Sequence, residues 1–177
     1  MSTTDDIYFQ KLQRVTQATI DFRPANGVPL TVSPRPFADM AEVRGDLNLT
    51  EREIMEEIEN QRLLWAFNFA ARDEKIFLRV FKTAVEHWLN PKVPLPRTIG
   101  EMLLRLFPTK NFTAGFVDTI SGLEFQQAFN VGAANVSQLL DRGWIEVRGG
   151  FAARRMGASA RILLPSVVKF LEQRRLS

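Results

Sequence analysis

Three side chains towards the C-terminal end of this sequence have the types and spacing to read the edges of stacked bases: Asn135, Gln138 and Arg142. Their i, i+3, i+7 spacing puts them on one side of a helix. A carboxamide can hydrogen-bond adenine through two atoms in the major groove, and a guanidinium can do the same with guanine. Ala133 and Ala134 precede them and are small enough to let the start of such a helix approach a groove closely. Downstream stand Arg148, Arg154, Arg155 and Arg161, a residue type that meets phosphates or enters a narrow minor groove. The plainer alternative for Asn135 and Gln138 is that they are solvated helix residues.

The elements that must position these side chains can be read locally. Ser121-Gly-Leu-Glu124 is a capping-box pattern that opens a helix, with Phe125, Ala128 and Phe129 facing inward. Asn130 tolerates the left-handed backbone that a tight turn needs, Val131 plugs the corner, and Gly132 serves as the next N-cap. A second helix over Ala133 to Arg142 buries Val136, Leu139 and Leu140, and Gly143 ends it. Trp144 to Val147 reads as a strand, residues 148–160 as a flexible basic loop, and Arg161 to Leu164 as a second strand. Pro165 suits the first position of a closing helix, which turns Val167, Val168 and Leu171 inward and ends in Arg174-Arg175. The order is helix, turn, helix, basic β-wing, helix.

That order, together with Arg161-Ile-Leu-Leu-Pro-Ser-Val-Val-Lys-Phe-Leu-Glu-Gln-Arg-Arg175, resembles the excisionase and MerR-type winged helix-turn-helix family. The resemblance covers residues 119–176, about a third of the chain. It implies a DNA-binding module whose recognition helix ends at a glycine and is followed by a wing. The chain departs from the family at Gln126, where a small residue usually lets the two helices approach, and in its long wing loop.

The charge distribution agrees with a polyanion partner. Net charge is +3 over 177 residues, but residues 141–177 alone carry +5 and the rest −2. A solvated basic tail is the bland alternative. Cysteine is absent and there is one histidine, His87, so thiolate and multi-histidine metal sites are excluded. No phosphate-binding glycine loop and no nucleophile–base pair is present, and Ser166 has no histidine partner, so the chain reads as a non-enzyme without cofactor or small-molecule ligand. No apolar run approaches a transmembrane length and no signal-peptide layout opens the chain, which points to a cytoplasmic protein away from membranes.

Upstream, the runs Ala18 to Phe22 and Val28 to Val32 flank Pro24-Ala-Asn-Gly27, as in a hairpin, although Leu12, Val15, Ala18 and Phe22 also fit a helical face. Thr50-Glu-Arg-Glu53 and Thr98-Ile-Gly-Glu101 are two further capping boxes. Leu63 to Ala70 reads as a strand with Trp65, Phe67 and Phe69 on one face, destined for the core or a dimer interface. Asp73 can cap a helix carrying Ile76, Phe77, Val80, Phe81, Ala84 and Trp88; a continuous helix over 50–89 competes with this. The acidic residues Glu51, Glu53, Glu56, Glu57 and Glu59 form a solvated helix face. The expectation is an α+β, mainly helical chain. A helix/strand dimerisation-type region over 1–108 precedes a winged helix-turn-helix over 109–177. The expected role is a sequence-specific transcriptional regulator, a repressor acting as a homodimer on double-stranded DNA. An excisionase-like recombination accessory factor is the alternative, and an adaptor that has lost DNA binding is a third reading.

Overall fold

A computed structural model describes residues 35–72, 75–110, 118–149 and 159–177. The hairpin expected over 18–32, Asp73, most of the stretch expected as a loop over 109–119, and most of the basic loop expected over 148–160 lie outside them. Residues 36–177 belong to one compact unit.

Helices begin where side chains can satisfy the first backbone amides. Asp39 caps α1 (Met40–Leu47) and Thr50 caps α2 (Glu51–Glu59), each with the reciprocal bond from a glutamate three residues on. Thr98 caps α4 (Ile99–Leu106) through the Glu101 amide, while the Glu101 carboxylate accepts from the Arg97 amide and from Arg105. Ser121 and Glu124 form a complete box at the start of α5 (Gly122–Phe129). Between them, α3 (Lys82–Leu89) has no side-chain cap, because it continues directly from a strand.

That strand corrects the expected helix over 73–88. Leu78–Phe81 is β3, the centre of an antiparallel sheet between β1 (Phe37–Ala38) and β2 (Ala66–Asn68). The apolar residues fit helical spacing, but pairing with strands on both sides holds 78–81 extended. A continuous helix over 50–89 is excluded by the same sheet. The strand expected over 63–70 is shorter: Trp65 sits at φ 57°, and ladder pairing is confined to 66–68. Its aromatic residues are core, and so are their neighbours. Trp65, Ala66, Phe67, Asn68 and Phe69 are all buried, so both faces of β2 are covered.

The second sheet joins β4 (Thr119–Ser121) to β5 (Arg161–Leu163), antiparallel, with Ile120 opposite Ile162. Thr119, expected in a loop, is therefore a strand residue. The strand expected over 144–147 reduces to a single bridge, Val147 to Ile162, flanked by the Leu163 amide on the Glu146 carbonyl and the Arg148 amide on the Arg161 carbonyl. These bonds place residues 146–148 beside β5. The chain closes with α7 (Leu164–Arg174), which has Pro165 in its first turn.

One core draws on both sides of position 108. The ring of Phe69 lies 6.2 Å from Phe125, 5.3 Å from Phe129 and 5.2 Å from Phe170, centroid to centroid. Phe37 reaches Phe129 at 5.2 Å. All five are fully buried, so the sheet β1–β3–β2 packs on α5 and α7 through aromatic contacts of the offset and edge-on kind. No helix of the described residues is long and apolar enough to cross a membrane.

Candidate nucleic-acid interface

The candidate site is built around α6 (Ala133–Asp141) and the turn that precedes it. Asn130 adopts φ 53° and ψ 47°, the left-handed conformation that a short polar side chain tolerates. Its neighbour Val131 is buried, and Gly132 is the N-cap of α6. A buried cation fixes this turn from outside. Arg79, on β3, donates to the Asn130 carbonyl at 2.7 Å and to the Leu78 carbonyl at 2.7 Å, and its guanidinium lies 4.0 Å over the Phe77 ring. Burial lowers the Arg79 pKa below the usual arginine value, while Asp39 and Glu42 pull it back up. Glu42 also accepts from the Asn130 carboxamide at 3.1 Å. The turn between α5 and α6 is thus tied to the first sheet through Arg79 and to α1 through Glu42.

The far end of α6 closes by a Schellman motif. The Gly143 amide, at φ +71°, donates to the Leu140 carbonyl, and the Trp144 amide donates to the Leu139 carbonyl. Val136, Leu139 and Leu140 are buried. At 3.6 residues per turn, the opposite face carries Ala134, Ser137, Gln138 and Asp141, all exposed. Ala133 and Arg142 are exposed at the two ends. No side chain caps the α6 N-terminus, since glycine stands there.

Of the three residues picked for base contact, Gln138 and Arg142 are exposed to solvent and Asn135 is not free to join them. Its Nδ2 donates to the Phe69 carbonyl at 2.9 Å, and its Oδ1 is buried without a hydrogen-bond partner. Asn135 lies at the border of the buried face, and the end of β2 covers it there. It belongs to a set: Arg174 donates to the Ala70 carbonyl at 2.8 Å, and Trp144 Nε1 to the Ala71 carbonyl at 3.2 Å. Arg174 also lies 4.0 Å over the Trp144 ring. The three consecutive carbonyls that follow β2, those of Phe69, Ala70 and Ala71, are satisfied by side chains from α6, from α7 and from Trp144 of the Schellman turn.

Arg148 and Arg161 are both exposed, and the backbone bond between them brings their positions together beside β5. Arg154 and Arg155 lie outside the described residues. Ser137 and Asp141 share the outward face, which their helical phase puts there; a serine can bond several base edges, and a carboxylate can accept from cytosine. Arg79, Trp144 and Arg174 were not foreseen as supports, because their partners are carbonyls distant in sequence and carry no side-chain signal. Among the described residues, no group of three His, Cys, Asp or Glu side chains could hold a metal ion.

Comparison of the chain with protein-family models, with curated proteins and with solved structures gives no match.

Proposed function

We propose that residues 98–177 act as a winged helix-turn-helix that binds double-stranded DNA, with α6 as the recognition helix. One observation carries the reading: an exposed α6 face of small and polar residues, Ala133, Ala134, Ser137 and Gln138, flanked by the exposed arginines Arg142, Arg148 and Arg161. The order of elements supports it. A helix (α4), a strand (β4), the pair α5–α6 and two extended segments follow one another, and β5 pairs with both β4 and residues 146–148. In this reading Gln138 addresses base edges, and Arg142, at the end of α6, stands at the rim of the groove. Arg148 and Arg161 meet phosphates at the base of the wing, and Arg154 and Arg155 do so on the wing itself.

A helix of nine residues reads few base pairs, so the chain acts as a sequence-specific regulator, a repressor, by binding a two-fold site as a homodimer. Selection of bound duplexes from a random pool by the full chain tests this, followed by footprinting and sedimentation of the complex. A recurrent palindromic site occupied by two chains supports the reading. Failure to retain any duplex in a salt-dependent manner would overturn it.

A further inference from the structure

The C-terminal end of α6 borders a furrow of ≈ 420 Å³ that shares only Arg142 with the proposed recognition surface. Arg142 and Glu146 line one side, Pro165, Lys169 and Gln173 line α7, and Trp144 lies between. The α7 residues recur at i, i+4 and i+8, so they form one stripe, and Lys169 and Gln173 are exposed along it. Val167, Phe170 and Leu171 face the core instead. Neither Arg142 nor Lys169 makes an ion pair among the described residues, so two cationic heads stand at one open cleft. Among the described residues that line it, Glu146 is the one acid. Small-molecule pockets are enclosed largely by apolar walls, whereas this cleft is open and mixed in polarity.

We infer that this furrow is a cradle for the DNA backbone, with Lys169 as a phosphate contact that extends the interface from α6 onto α7. The inference rests on the proposed DNA binding and adds a site to it. Its geometric ground is continuity, because Arg142 belongs both to the end of α6 and to the furrow. Nine residues of α6 span roughly 14 Å at 1.5 Å each, slightly more than the ~12 Å width of the major groove. With Ala133 and Ala134 in the groove, the far end of the helix therefore stands at the backbone rim, where the furrow opens. The Lys169 ammonium is a compact point charge on a flexible stem, suited to a phosphate that carries no sequence information. Glu146 opposes the same phosphate.

The test uses the full chain and two duplexes, a selected site and a scrambled one, titrated over a series of potassium chloride concentrations. Lys169→Ala should lower the slope of log affinity against log salt by about 0.9, equivalent to about eightfold weaker binding at 0.1 M salt, equally on both duplexes. Lys169→Arg should restore the slope. Glu146→Gln should strengthen binding to both duplexes, an outcome that damage to the fold cannot produce. If the unaltered chain shows no salt-dependent binding, the proposed function fails and the furrow's role fails with it. If it binds but Lys169→Ala leaves the slope unchanged, DNA binding stands and this inference is overturned. The cleft would then be a site for another anion, such as an acidic peptide.

Discussion

Asn135 and Gln138 are three residues apart on α6, yet they face different surroundings. The Asn135 carboxamide is committed to the Phe69 carbonyl, whereas Gln138 is exposed. Asn135→Ala should therefore cost about 1 kcal/mol of stability, the net worth of a typical internal hydrogen bond, and leave the preferred duplex sequence unchanged. Gln138→Ala should do the reverse: denaturant midpoints stay put, while discrimination at one base pair drops by about 1–3 kcal/mol. Chemical denaturation and repeated selection of bound duplexes separate the two. Away from α6, Glu57 accepts from Trp88 Nε1 at 2.8 Å and from Arg62, and its side chain is only 15% exposed. The Arg62 hydrogen bond, then that from Trp88, hold the Glu57 carboxyl below its ordinary pKa. A depressed carboxylate pKa stabilises the fold above the unfolded value and is lost as pH falls through the folded one. Melting temperatures of the native chain and Glu57→Gln should differ at neutral pH and converge as pH drops below about 4, under the ordinary glutamate value. A constant difference down to acid pH would show that the carboxylate charge is not what stabilises this corner.

At the scale of elements, the termini of α5 and α6 are set by residues whose effect is local, and each effect can be removed singly. Ser121→Ala takes away the acceptor for the Glu124 amide and should cost about 1 kcal/mol in thermal or denaturant unfolding. At Gly143 a Cβ would meet no atom within 4 Å, so only its φ of +71° opposes a side chain. Gly143→Ala should then cost about 1–2 kcal/mol, and Gly143→Asn less. These same features were legible in the sequence: the capping boxes at Thr50 and Ser121, the left-handed Asn130, the corner Val131 and the terminating Gly143 all act within a few residues of themselves. Strands were not legible in this way. Ile76, Phe77, Val80, Phe81, Ala84 and Trp88 satisfy helical spacing, and only pairing with Phe37–Ala38 and Ala66–Asn68 makes 78–81 a strand. Thr119 to Ser121 is equally silent, since its partner lies some forty residues downstream. Asn135 was misplaced for the same reason, because the carbonyl that claims it is 66 residues away. Gln138 and Arg142, whose exposure follows from helical phase alone, lie where the spacing puts them.

For the whole molecule, the decisive fact is how the segment after β2 is held. Residues 66–71 run against α6 and α7, with Phe69 among Phe125, Phe129 and Phe170 and the carbonyls of 69, 70 and 71 bonded to Asn135, Arg174 and Trp144. The Leu176 amide donates to the Ala66 carbonyl, and the Ser177 hydroxyl donates to the Leu63 carbonyl. Cutting the chain at 108 would strip the phenylalanines of α5 and α7 of Phe37 and Phe69 and take away the carbonyls that accept from three part-buried donors. Removing a single buried Phe side chain typically costs about 3–5 kcal/mol, and a whole domain is stable by only about 5–15. A fragment of residues 109–177 should accordingly lack a cooperative melting transition and dispersed amide resonances, whereas residues 36–177 should retain both. Phe69→Ala in the full chain should act in the same direction, lowering stability by about 3–5 kcal/mol and weakening DNA binding only in proportion to the fraction unfolded. A stably folded 109–177 fragment would mean that the aromatic contacts across position 108 are dispensable. In that case α6 would not depend on the first sheet for its placement, and the bond from Arg79 to the Asn130 carbonyl would lose its significance for the α5–α6 turn.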